Sequence, residues 1–119
     1  MTNWIRNGEL VDTIAINDRG LLYGDGIFET IAIRRGQPRL WSYHLERITH
    51  GCKMLDLAVP AEQDLLKGLE DAVANSEVSA TSAVAKILIT AGTGEIGYGR
   101  GFITAPTVLF AVFLSAQIG

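Results

Sequence analysis

Hydrophobic and polar positions along this chain follow two periods, one of two residues and one of three to four. Trp4-Ile5-Arg6 and Glu9-Leu10-Val11 flank Asn7-Gly8, the dipeptide best suited to a type I′ hairpin turn. From Ile27 to Arg34 apolar and β-branched residues dominate, which predicts a strand. Arg35-Gly36-Gln37 closes a second hairpin, into a short strand at Pro38–Leu40. The period then changes. Ser42 is placed to cap a helix running to Leu55, and Leu45, Ile48, Cys52 and Leu55 form one apolar stripe on it. A second helix begins near Pro60, a residue favoured at the first helical position. It carries Leu65, Leu66, Leu69, Ala72 and Val73 and ends at Asn75-Ser76. Val84–Thr90 reads as a buried strand, Ala91–Gly101 as a glycine-rich loop and Thr107–Leu114 as a last strand. Strands, two helices and again strands indicate an α+β domain with both helices on one face of a sheet.

Composition narrows the class. A chain of 119 residues, 48% hydrophobic and 19% charged, is one globular domain with its own core. The net charge of −3 is interleaved, and no stripe of Lys and Arg points to nucleic acid. Cys52 is the sole cysteine, so no internal disulfide forms, and it reads as a small buried hydrophobe in a reducing compartment. Met1–Arg6 lacks a secretory pattern, and the longest apolar run, Val108–Leu114, is too short to cross a bilayer. A soluble, cytoplasmic protein without a membrane partner is expected.

Asp18–Thr30 (DRGLLYGDGIFET) packs four charges, three glycines and two aromatics into thirteen residues. By composition alone this is an ordinary turn; its glycines also allow the close backbone approach that a ligand needs. Arg47 lies about 120° from the centre of the first helix's stripe at 100° per residue, with His44 one turn before it. Such an arginine can present its planar fork to a phosphate, although a solvated or paired side chain is the plainer reading. Gly92-Thr93-Gly94-Glu95-Ile96-Gly97 has G-x-G-x-x-G spacing, but Tyr98-Gly99-Arg100-Gly101 forbids the helix that a dinucleotide site requires. It is left as a candidate binding loop. One Cys and two His without paired spacing exclude a zinc ribbon. Neither a nucleophile elbow nor a Walker A motif is present. Asp25 and Glu29 fall on a turn and a strand and do not face each other as a glycosidase pair would.

Three segments, DRGLLYGDGIFET (Asp18–Thr30), HLERI (His44–Ile48) and KILITAGTGEIGYG (Lys86–Gly99), match a known pattern in order and spacing. They resemble the small N-terminal domain of the fold-type IV pyridoxal-phosphate (PLP) enzymes, a family of branched-chain and D-amino-acid aminotransferases and aminodeoxychorismate lyases. The resemblance implies a D-amino-acid aminotransferase-like fold, with PLP bound between this domain and a larger C-terminal one, and a homodimer acting on a small-molecule substrate. It implies that Arg47 contacts the cofactor phosphate and that Phe28 and Tyr98 line the substrate pocket. The third segment looks most like the lyase branch. That branch converts 4-amino-4-deoxychorismate to 4-aminobenzoate and pyruvate in folate synthesis. The chain departs from it at Ala91 and Ile96, where many lyases carry arginine. Phe28 and Ile96 also suit an apolar amino acid, so a branched-chain or other amino-acid aminotransferase is the alternative, and a non-catalytic dimerising module is another.

The family's Schiff-base lysine lies beyond position 119, and Lys53, Lys67 and Lys86 do not occupy its place. Residues 1–119 are therefore expected to be the small domain without its C-terminal partner, to contain no catalytic residue and to be inactive alone. Lys86 sits on a strand that turns it either into the cleft, toward Arg47, or to solvent. Removal of the partner domain should also leave an apolar patch on the strands Ile27–Ile33 and Thr107–Leu114. An exposed lysine, with a pKa near about 10.4, is protonated at neutral pH and a poor nucleophile. Borohydride reduction of the 119-residue chain with PLP, followed by peptide mapping, should accordingly find no stoichiometrically labelled lysine.

Overall fold

Both turn dipeptides make the hairpins expected of them. β1 (Trp4–Arg6) and β2 (Glu9–Val11) pair antiparallel across Asn7-Gly8, whose φ angles of 52° and 79° are those of a type I′ turn. β3 (Gly26–Arg34) meets β4 (Gln37–Pro38) across Arg35-Gly36, with φ of 55° and 78°. The structure is a computed structural model that describes residues 2–76, 82–93 and 105–114. With β5 (Ala83–Thr90) and β6 (Thr107–Leu114), these strands form a six-stranded antiparallel sheet in the order β2-β1-β6-β5-β3-β4. β4 covers β3 at Ile33 and Arg34, and Arg39 N donates to Ala32 O at 2.8 Å, so among the described residues the outer edge of β3 has no strand partner from Gly26 to Ile31.

α1 (Arg19–Tyr23) is a short helix, and α2 (Trp41–Met54) and α3 (Glu62–Ala74) pack together on one face of the sheet. Period-two alternation turns Ile31 and Ile33 of β3, Ala85, Ile87 and Ile89 of β5, and Phe110 and Val112 of β6 toward them. Against these pack Ile48 and Cys52 of α2 and Leu65, Leu69 and Ala72 of α3. The α+β architecture with two helices on one face is as the pattern predicted.

Helix starts differ from expectation. Ser42 is not the cap of α2; Leu40 holds that place in a left-handed conformation (φ 54°), with no side-chain cap, because the chain must reverse sharply out of β4. The same reversal ends β4 at Pro38 rather than Leu40. α3 starts at Glu62, capped by Ala61, and Pro60 lies before it; Glu62 and Asp64 in its first turn complement the helix dipole. Leu66 lies on the exposed side of α3.

Asp18 is the unforeseen anchor of the fold. It is 1% exposed and caps α1 by accepting from Gly20 N at 2.8 Å. It also accepts from Thr90 Oγ1 and Thr107 Oγ1, each at 2.7 Å, at the paired ends of β5 and β6. Gly20 must be glycine here, since a Cβ would lie 2.4 Å from Thr90 Cγ2. Arg19 N donates to Gly92 O at 2.7 Å, and Gly92 N donates to Thr90 Oγ1 at 3.0 Å. The turn after Asn17 is thereby tied to the base of the glycine-rich loop.

Exposed apolar residues lie both on the strands expected to carry them and outside those strands. On the sheet face away from α2 and α3, Leu109 and Ala111 are buried, and Val11–Ile14 borders a small recess with Trp4, Leu88 and Leu109. Phe28 and Leu114 are exposed on those strands, and Leu10, Ile14, Ile16, Leu21, Leu22 and Tyr23 are exposed outside them. Among the described residues no helix is long and apolar enough to cross a membrane.

Asp18→Ala strips partners from two threonine hydroxyls inside the fold and should cost about 2–4 kcal/mol, read as a lower urea midpoint. Cys52 is fully buried, and burial pushes its thiol above the ordinary range. The folded chain thus holds the thiol proton more tightly than the unfolded one. This contribution is present below the unfolded thiol's pKa of about 8.5 and is lost as pH rises past it. Native protein at pH 8 should resist an aromatic disulfide reagent, and unfolded protein should react at once.

Candidate functional site

The alternation that sends Ile31 and Ile33 of β3 toward the helices sends Glu29 the same way. Its side chain is 8% exposed, and a carboxylate so placed needs partners. The first turns of α2 supply them. His44 and Arg47 are three residues apart, so both side chains leave the same side of the helix. His44 Nδ1 lies 2.6 Å from Glu29 Oε2. Arg47 Nε donates to both carboxylate oxygens, at 3.0 and 3.2 Å.

Arg47 itself remains 58% exposed. Its hydrogen bond to Glu29, with the attraction between the two charges, holds its pKa above the ordinary value, so it stays a cation. Both bonds to Glu29 run through Nε, which leaves the Nη1/Nη2 edge of the fork outside that pair. The Tyr43 ring centroid lies 5.8 Å from the guanidinium carbon. Gly26–Thr30, Tyr43, His44 and Arg47 line an open cleft of about 600 Å³ at the free edge of β3, within the size range of small-molecule sites.

Phe28 also lines this cleft, from the opposite face of β3, and is 63% exposed. Lys86 sits on that same opposite face: it pairs in register with Thr30, and its Nζ lies 4.9 Å from the Phe28 ring centroid. Ala85 and Ile87 take the buried positions of β5, so Lys86 cannot turn toward Arg47. Asp25 pairs with Arg19 at 3.0 Å. Tyr98 and Ile96 lie outside the described residues.

The family model for amino-transferase class IV matches residues 26–117, a span running from β3 through β6. The chain belongs to this family. Among class IV relatives, it is 32% identical over 110 residues to an aminodeoxychorismate lyase of Vibrio harveyi, covering 92% of this chain and 39% of that one. The solved 4-amino-4-deoxychorismate lyase of Pseudomonas aeruginosa superposes with a TM-score of 0.70 at 34% identity, covering 90% of this chain and 38% of that one. A hypothetical aminotransferase of Mycobacterium tuberculosis in its PLP-bound form gives a TM-score of 0.77 at 25% identity, covering 98% and 41%. The chain thus spans about two fifths of the length of these class IV relatives.

Of the site residues expected from sequence, the structure brings Arg47 and Phe28 to one cleft. Glu29 and His44 were not expected to act with Arg47. The signal was present: Glu29 interrupts the register Ile27, Ile31, Ile33, and an acidic residue in an apolar register implies a cation across from it.

Proposed function

We propose that residues 1–119 form the small N-terminal domain of a cytoplasmic, homodimeric PLP enzyme. Its reaction splits 4-amino-4-deoxychorismate into 4-aminobenzoate and pyruvate for folate synthesis. The observation that carries the cofactor reading is Arg47, an exposed cation held by Nε on a buried carboxylate at the wall of a cleft. Its remaining edge offers two parallel N–H donors, the geometry that suits a phosphate. PLP, when bound, supplies the electron sink for the bonds that break. Arg47 binds and orients the phosphate, and Phe28 presents an apolar surface that keeps water from the reacting side. The similarity to lyases of Vibrio harveyi and Pseudomonas aeruginosa supports the choice of reaction.

Lys86 fits the same choice. Aminodeoxychorismate carries two carboxylates, and Lys86 supplies a cation beside Phe28 on the face opposite Glu29. The exposed group Leu10, Ile14, Ile16, Leu21, Leu22 and Tyr23 supports burial against a second domain or subunit. An aminotransferase is the second reading, favoured by the likeness to the Mycobacterium tuberculosis protein over 98% of this chain. Pyruvate release from aminodeoxychorismate, measured beside amino transfer to 2-oxo acids in the full-length protein, separates the two.

In that protein Arg47→Ala should weaken PLP binding about ten- to a hundredfold, the loss of a charge-assisted contact. An unchanged dissociation constant on titrating the apoprotein would remove the cofactor assignment. Lys86→Met should raise KM for aminodeoxychorismate about tenfold and leave PLP affinity as it was. An unchanged KM refutes the role given to Lys86.

A further inference from the structure

We infer that Glu29 is the positioning residue for phosphate recognition, clamping Arg47 by Nε so that its Nη edge faces the ligand. The inference rests on the phosphate reading of Arg47 given above. A long, exposed arginine has many rotamers of similar energy, and one that must meet a phosphate edge-on loses affinity in proportion to the time spent elsewhere. Glu29 removes that freedom. It stands on a strand whose backbone is paired residue by residue with β5, Glu29 opposite Ile87, and it is nearly buried. Both of its oxygens are within 3.2 Å of the same Nε, and Tyr43, its ring centroid 5.8 Å from the guanidinium carbon, is a further neighbour of the group.

His44 in turn holds the carboxylate. Its Nδ1, 2.6 Å from Oε2, fixes the rotamer of Glu29 from the same helix that carries Arg47. The neighbours of Glu29 in its face of the sheet, Ile27, Ile31 and Ile87, are apolar. Among the described residues, Arg47 and His44 are the groups that pair with it. The support is therefore directional: carboxylate, arginine and ligand follow one another from the core to the cleft.

The test compares PLP with pyridoxal, which lacks the phosphate, by titrating the full-length apoprotein with each. The ratio of the two affinities isolates the phosphate contact from any general damage to the fold. Glu29→Ala should lower this ratio about tenfold, the scale on which loss of outer-shell support weakens a binding group. Pyridoxal affinity should hold. In an Arg47→Ala background the same change should have no further effect on the ratio, since the clamp then has nothing to hold. Glu29→Gln keeps an acceptor for Nε and should restore most of the ratio, and it serves where Glu29→Ala does not fold. His44→Ala should lower the ratio severalfold. A ratio unchanged in Glu29→Ala but reduced in Arg47→Ala overturns the clamp and leaves the phosphate reading intact. Equal loss of PLP and pyridoxal affinity in Glu29→Ala marks a merely structural residue and also overturns it. A ratio unmoved by Arg47→Ala removes both.

Discussion

Glu29 occupies a helix-facing position of β3, in line with Ile31 and Ile33, where an unpaired charge would be costly. The surroundings answer that cost. α2 must start close to the strand and present His44 and Arg47 on one side, and the chain reverses at Leu40 with a positive φ to make this possible. The end of the domain that carries the cleft is arranged around that requirement. One wall of the cleft is the partnerless edge of β3, and the other is the first turns of α2.

Asp18 is a second buried carboxylate, handled differently. Among the described residues its partners are two threonine hydroxyls and a backbone N–H, all neutral. Bonds to a charged acceptor are stronger than neutral ones, so three of them make a firm junction between α1, β5 and β6. The consequence is geometric. The segment that contains the GDG turn and the start of the glycine-rich loop share one anchor, so both are held relative to the strand that bears Glu29 and Phe28. One carboxylate thus holds an arginine at the cleft and the other joins the scaffold.

The two faces of β3 divide the chemistry. On the helix face stand the groups suited to an anion's fixed charge, Glu29 with Arg47 and His44. On the other face stand Phe28, Thr30 and Lys86, an aromatic plane with a cation above it and a hydroxyl beside it. Phe28 and Thr30 reach the cleft together with Glu29, His44 and Arg47, because they stand where the outer edge of β3 is free.

Much of this was legible in the residues themselves. The Asn7-Gly8 hairpin, the strands from Ile27 and Thr107, the two helical stripes and Arg47 beside His44 follow from local turn chemistry and from periods of two and three to four. Cys52 as a buried hydrophobe followed from its place in a stripe. What the residues alone could not settle were matters of partnership across the sheet. Whether Lys86 faced Arg47 or Phe28 depended on register with Thr30, and a shift of one residue would have reversed it. The cap of α2 passed from Ser42 to Leu40 because the path out of β4, not the local propensity, set where the helix could begin. The meeting of Asp18 with Thr90 and Thr107 spans 72 and 89 residues of chain, and that of Glu29 with Arg47 spans 18. A local pattern determines which elements form and which face each one buries, because those depend on neighbouring residues. Which charges meet is decided only when the folded sheet and helices bring distant residues within hydrogen-bonding distance.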